Sequence, residues 1–275
     1  MIEYGKTRYK DKFAFYKEDI VIGKSIRLYG EYSQLEVDFM LKLFTNETVV
    51  YDIGGNIGYH ATAFASKVKQ VYSFEPNPHN YTLLQQNTDG LTNVQLFKCA
   101  VGATNSTIKC IEFDPNVPGN FGSVQVGVPN ATLEVLLVAI DGLGLEKPDF
   151  IKIDVEGSEY EVFKGCINTI KMHTPVIFYE AHETEHGKEI YEMLDILEYN
   201  MYWATVNNYN PNNFLQHKED VFGNSALFSI LAVPPGMPVS GFDKVLGPDD
   251  SFDKYFDRLR QRVAEYNKKL SESNK

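Results

Sequence analysis

Val49-Val50-Tyr51-Asp52-Ile53-Gly54-Gly55-Asn56-Ile57-Gly58 is the stretch on which the reading of this chain turns. Its first five residues read as a parallel strand buried on both faces. The glycine-rich turn Gly54 to Gly58 follows at once, and Ile57, Ala61, Phe64, Ala65 and Val68 then recur at helical spacing. A strand running straight through glycines into a helix leaves backbone that a ligand can approach closely, because side chains are missing there. The second strand, Val71 to Phe74, ends at Glu75-Pro76. Glu75 thus follows the turn at roughly the 20-residue interval at which nucleotide-binding folds place an acid for the ribose hydroxyls.

Charge separates the nucleotides that such a site takes. A dinucleotide would bring its pyrophosphate to Asp52, whereas S-adenosylmethionine brings an ammonium and a sulfonium that a carboxylate favours. The spacing also departs from G-x-G-x-x-G, with Asn56 inside the turn. The plainer alternative is that Asp52 only caps a helix start and Glu75 only ends a strand.

Short apolar runs alternate with helix-period segments along the rest of the chain, which predicts an α/β fold with a mostly parallel sheet and helices on both faces. Before the first core strand, Phe13 to Tyr16 and Ile20 to Ile22 read as short strands. Ser33 and Glu36 have capping-box spacing at the head of a helix with Val37, Met40, Leu41 and Phe44 inward. Asn77 caps the helix after the second strand, with Pro78 at its first position and Asp89-Gly90 at its end. Val94 to Val101 is the third strand.

Residues 114–130 carry three prolines and three glycines and so read as an excursion from the sheet, in which Gly119-Asn120-Phe121-Gly122 is placed to close over an acceptor or to form a plain surface turn. Phe150 to Val155 is the fourth strand, turning through Glu156-Gly157-Ser158 into a helix, and Val176 to Glu180 is the fifth, ending beside His182. Tyr202 to Val206 and Leu227 to Val233 read as an antiparallel pair at the sheet edge, separated by a polar loop. Phe252, Tyr255, Phe256, Leu259, Val263 and Tyr266 make an amphipathic helix suited to docking on the core or on a second copy of the chain. The implied division is an N-terminal segment 1–47, a core 48–235 and a C-terminal extension 236–275.

Composition narrows the partners. A chain of 275 residues with 43% hydrophobic content supports one large core. The net charge of −11 disfavours nucleic acid unless a basic groove overrides it. Cys99, Cys110 and Cys166 form neither a C-x-x-C pair nor an even set, so neither a disulfide framework nor a zinc site is expected. The start, Met1 to Lys12, is polar, and no apolar run approaches a membrane span, which together point to a cytoplasmic protein.

Val50-Tyr51-Asp52-Ile53-Gly54-Gly55-Asn56-Ile57-Gly58-Tyr59, then Glu75-Pro76-Asn77-Pro78, then Ile151-Lys152-Ile153-Asp154-Val155-Glu156-Gly157-Ser158-Glu159 resemble the FkbM family of S-adenosylmethionine-dependent methyltransferases. The resemblance spans about residues 48 to 183, and its last stretch is the most specific. It implies a class I, Rossmann-like methyltransferase fold of seven strands with the last antiparallel, and O-methylation of a hydroxyl on a sugar, glycan or small metabolite. By position it implies that Asp52, Gly54, Asn56 and Gly58 contact the methionine half of the cofactor. It likewise assigns Glu75 and Pro76 to the ribose side, Asn77 to the rim and Ala100 to the adenine. Gly55 stands where the family usually has alanine, a change expected only to loosen the turn.

A hydroxyl acceptor must lose a proton, and ligands of open α/β sheets bind beyond the carboxyl ends of the strands. Asp154 and His182 lie at such ends. Histidine is the better base near neutral pH, with Asp154 orienting it or the acceptor, although His182 also reads as an ordinary surface residue. Glu156, Glu180 and Glu183 add carboxylates that with Asp154 and His182 would suit a divalent metal, which is not expected to be required; Glu156 and Glu159 read more simply as solvated acids at a helix start. The competing functions are a nicotinamide-dependent oxidoreductase and a binding protein that holds S-adenosylmethionine without turnover.

Overall fold

The computed structural model describes residues 1–181, 186–223 and 225–273. The chain opens with an antiparallel hairpin, β1 (Ile2–Gly5) and β2 (Phe13–Tyr16), followed by α1 (Ile22–Tyr29) and α2 (Gln34–Leu43). The core begins with β3 (Val49–Ile53), α3 (Tyr59–Ala65), β4 (Gln70–Phe74), α4 (Pro78–Thr88) and β5 (Val94–Phe97). A small second sheet follows from β6 (Ala100–Val101), β7 (Ser106–Cys110) and β8 (Leu133–Val138). The chain then returns through β9 (Phe150–Ile153), α5 (Glu159–His173), β10 (Val176–Glu180), α6 (Gly187–Ile196), β11 (Asn200–Asn207) and β12 (Ala226–Val233). It ends with β13 (Asp243–Lys244) and α7 (Phe252–Ser273).

The main sheet has the order β13-β11-β12-β10-β9-β3-β4-β5. Strands β5, β4, β3, β9 and β10 are parallel, and β12 enters antiparallel between β10 and β11. This is the mostly parallel seven-stranded sheet expected from the sequence, extended at one edge by the two-residue β13. The order reverses at β3, so the carboxyl ends of β3 and β9 flank the crevice where open α/β sheets take ligands.

Alternation along the strands assigns the two faces. Val49, Tyr51 and Ile53 pack with Val162, Phe163 and Ile170 of α5 and with Leu194 of α6. Val50, Phe150 and Phe178 pack on the other face against Met40 of α2, Phe64 of α3 and Leu84 of α4. The N-terminal hairpin joins a third cluster in which Phe13, Phe15 and Ile26 meet Ile57, Tyr59 and Leu83.

Three local readings change. Ile20 to Ile22 is not a strand, because Ile22 begins α1. Ser33 does not complete a capping box: its backbone is left-handed at φ 46°, its side chain caps nothing, and Glu36 turns instead toward β12. The third strand stops at Phe97, and Ala100–Val101 pair with β8 in the smaller sheet. That sheet escaped the sequence reading because β7 is only five residues long and mostly exposed, so it carries little apolar signal. The cap at Asn77 forms as expected, its Oδ1 accepting from the backbone N–H groups of His79 and Asn80.

Among the described residues no helix is long and apolar enough to cross a membrane. The three cysteines are free and buried. Phe252, Tyr255 and Leu259 of α7 dock on the core, while Val263 and Tyr266 are exposed. The anchor is Asp250, which accepts from Trp203 Nε1 at 3.0 Å and from both terminal nitrogens of Arg258, while Tyr255 stacks on Trp203 at 4.6 Å. Asp250→Ala leaves the buried indole N–H without a partner and is expected to lower stability by about 2–4 kcal/mol in urea denaturation. It should also expose α7 to limited proteolysis; an unchanged denaturation midpoint would refute this anchoring role.

Candidate active site

Strand register builds the site. Ser73, Asp52, Lys152 and Phe178 are aligned neighbours across β4, β3, β9 and β10. Two residues on from that row stand Glu75, Gly54 and Asp154, each just past the end of its strand, and Glu180, the last residue of β10. This edge carries three carboxyl groups, with a glycine where the first strand turns away.

All four line a cleft of about 1160 Å³, measured out to its open mouth. The same cleft is lined by Gly55, Asn56, Pro76 and Ala100. Asp52, Gly58 and Asn77 are not among its lining residues. His182 lies outside the described residues, as does Glu183.

Asp52 stands back from the cleft. It is fully buried beneath the turn, where Oδ2 accepts from Ser73 Oγ at 2.8 Å and Oδ1 stands 3.7 Å from Lys152 Nζ. Its charge thus faces Lys152 inside the protein, Oδ1 has no hydrogen-bond partner, and Asp52 is not among the residues that line the cleft. Lys152, to which the sequence reading gave no role, reaches Asp154 Oδ2 at 3.1 Å and the Gly54 carbonyl at 3.4 Å. Burial would lower the Lys152 pKa, but Asp154 and Asp52 together hold it above the ordinary lysine value. Burial likewise works against the Asp154 carboxylate, yet the charge and hydrogen bond of Lys152 keep its pKa below the usual range. Glu180 goes the other way, pushed up to about 10 by burial and then by the charge of Asp154, so it holds a proton at neutral pH.

The glycines of the turn answer to the protein more than to a ligand. Gly54 has φ 88°, and a Cβ there would lie 1.8 Å from the Asp154 carbonyl oxygen. A Cβ on Gly55 would lie 2.1 Å from Ser73 Oγ, so this glycine is matched to the serine that holds Asp52. The expectation that Gly55 merely loosens the turn is replaced by a packing reason.

Every N–H from residue 54 to 58 is accepted within the protein. Gly54 and Gly55 donate to the Phe74 carbonyl, Asn56 to Glu75 Oε2 at 2.9 Å, Ile57 to Asn56 Oδ1, and Gly58 to the Gly55 carbonyl. Glu75 also accepts from Asn77 N through Oε1 at 2.8 Å. Burial, opposed by these two bonds, pushes the Glu75 carboxyl up to about 7.

The 114–130 excursion forms a strap over the cleft, to which it contributes Gly122, Val124 and Val126. Asn80 Nδ2 donates to the Phe121 carbonyl at 2.9 Å, and Gln125 Nε2 to the Glu156 carbonyl at 3.1 Å, so the strap is pinned on both sides. Glu159 is not a solvated acid: it is buried and accepts from Val155 N and Gly157 N, which fixes the turn that carries Glu156. Asp154, Glu156 and Glu180 bring one oxygen each to within 4.8 Å of one another, and the Lys152 ammonium already supplies positive charge beside this group. Tyr32, Glu36 and His60 close the far wall, and the sequence reading assigned none of them to the site because they belong to segments that meet only in the fold.

A family model described as the methyltransferase FkbM domain matches residues 52–203. The hexuronic acid methyltransferase AglP of Haloferax volcanii is 29% identical over 162 residues, covering 58% of this chain and 66% of that protein. The methyltransferase sdnD of Sordaria araneosa is 29% identical, covering 50% of this chain and 71% of its own. A crystallised FkbM methyltransferase from Methylobacillus flagellatus superposes with a TM-score of 0.46 at 19% identity, covering 68% of this chain and 44% of that one. The chain thus spans just under two thirds of the archaeal relative's length and less than half of the crystallised one.

Two predictions follow the packing. Gly55→Ala is expected to destabilise the fold by about 1–3 kcal/mol, and adding Ser73→Ala should recover much of that loss; strictly additive effects would contradict the Gly55–Ser73 match. Lys152→Met, which strands buried Asp52, should cost about 3–5 kcal/mol in the same urea assay, and a stability equal to the parent would exclude the pairing described here.

Proposed function

The chain belongs to the methyltransferase FkbM domain family, and from that premise we propose that it transfers the methyl group of S-adenosylmethionine to a hydroxyl of a sugar, glycan or small metabolite. The observation that carries this reading is the turn whose five N–H groups are all accepted by the protein itself, one of them by Glu75. A pyrophosphate needs free N–H donors and would here meet a carboxylate instead. The same strand-turn-helix therefore suits a nucleoside with a cationic arm better than a dinucleotide.

Strands lie about 4.8 Å apart, so the step from Glu75 to Glu180 crosses roughly 14 Å of sheet edge. That length accommodates a nucleoside at the Glu75 and Ala100 end, its amino-acid arm above Gly54 and Asp154, and an acceptor beside Glu180 and Glu36. Glu75 is placed to accept from the ribose hydroxyls, and the acids near Asp154 to favour the ammonium and sulfonium. The bound donor supplies an electrophilic methyl group, and the chain's own part is to align donor and acceptor under the strap and to remove a proton. Asp154, ionised beside Lys152, is in this reading a positioning group for the reacting pair.

The name of the archaeal relative points to a sugar acid as acceptor. In this chain the acceptor end sets the carboxylates of Glu36, Asp154 and Glu156 against the ammonium of Lys152, which favours neutral hydroxylated acceptors over carboxylated ones.

Labelled methyl transfer from S-adenosylmethionine onto matched neutral sugars, polyols and uronates tests the proposal. Transfer to neutral sugars is expected; tight NADH binding with no uptake of S-adenosylhomocysteine would sink it. Donor affinity should also depend on pH. Glu75 loses acceptor capacity when protonated, so the dissociation constant for S-adenosylhomocysteine should rise as pH falls below about 7, by up to roughly tenfold per unit. The stability of the free protein should respond in the opposite sense. A raised carboxyl pKa favours the fold most below the ordinary value of 4.5, and that contribution is lost as pH rises through about 7. Calorimetric titration between pH 5.5 and 8.5 checks the sign, and a pH-independent affinity would remove Glu75 from the ribose site.

A further inference from the structure

His60 is buried and lines the cleft, and its Nε2 is sealed from solvent with no hydrogen-bond partner. Native structures seldom leave such a group without a purpose. Nε2 faces Glu36 Oε2 at 3.7 Å, and Glu36 is itself buried and accepts from Ser229 Oγ through Oε1 at 3.1 Å. The three residues come from α3, α2 and β12, and all three line the same cleft. His60 lines the cleft, so its ring borders the space that an acceptor would occupy.

This is the arrangement of a base held by an orienting acid, which is in turn fixed by a third group. We propose that His60, oriented by Glu36 and Ser229, is the catalytic base that takes the proton of the acceptor hydroxyl. The inference rests on the methyl-transfer reading above. In the step, an oxygen lone pair of the acceptor forms the new O–C bond as the methyl C–S bond breaks, and that electron pair stays on sulfur, turning the sulfonium into a thioether. The O–H electrons remain on the acceptor oxygen, and its proton passes to His60, which later releases it to water.

The charged and titratable groups around the ring are Glu36 from α2, Tyr32 before α2, Tyr59 on its own helix and Asp154 beyond β9. No other histidine is among the cleft-lining residues described.

The test is the pH profile of kcat/KM for labelled methyl transfer by the full chain, with S-adenosylhomocysteine binding measured alongside. The parent is expected to lose activity on an acid limb between pH 5 and 8. His60→Gln should cut the rate by about 100-fold or more and abolish that limb, while binding of S-adenosylhomocysteine stays within about twofold. Imidazole should restore part of the rate to His60→Ala. Glu36→Gln should move the limb, because it removes the carboxylate that stands 3.7 Å from the ring. Should His60→Gln fail to fold, the Glu36→Gln profile decides, and an unmoved limb overturns the proposal. It is equally overturned by a parent without an acid limb, or by His182→Gln removing the limb while His60→Gln keeps it. A parent chain that binds no S-adenosylhomocysteine, or transfers methyl to no acceptor, instead defeats the reading on which this one rests, and that failure shows before any variant is made.

Discussion

The site is organised around one buried cation. Lys152 stands between Asp52 and Asp154 and also donates to the Gly54 carbonyl, so a single ammonium joins the floor of β3, the rim of β9 and the turn between strand and helix. Removing water from three charged groups is expensive, and the arrangement survives because each charge has a partner of opposite sign a few ångströms away. Sheet register makes this possible: Asp52 and Lys152 are directly aligned, and a slip of one residue would turn each to the opposite face.

From this pair the rest of the edge follows. Asp52 needs a second partner and finds it in Ser73, and Ser73 in turn occupies the space that a side chain at position 55 would fill. Burial, and after it the charge of Asp154 beside Lys152, raises the pKa of Glu180. Glu75 meanwhile closes the turn by accepting from Asn56 and Asn77, and it lines the cleft. The strap from Phe121 to Gln125 bridges the Asn80 and Glu156 sides and so covers both halves of the cleft.

Elements with strong local signals were legible. The parallel strands, the Asn77 cap, the glycine turn and the antiparallel pair β11 and β12 all lie where periodicity and turn chemistry place them. Readings failed where a residue's partner lies far along the chain. Ser33 and Glu36 have the spacing of a capping box, but Glu36 bonds Ser229, 193 residues away, and the local pattern carries no trace of that competitor. Glu159 looked like a solvated acid at a helix start and is buried by the turn it caps.

The amino-acid sequence by itself determined the alternation of strand and helix, the position of the glycine turn, and the presence of acids at three strand ends, because each is written in contiguous residues. Which acid reaches the cleft was decided only by the tertiary structure. Asp52 is covered and neutralised by a lysine 100 positions later, while Glu75, Asp154 and Glu180 reach the cleft because they lie two residues beyond the aligned row. The pairing of His60 with Glu36 and Ser229 is likewise a product of packing, since a side chain's electrostatic partner depends on distance in space and not on separation along the chain.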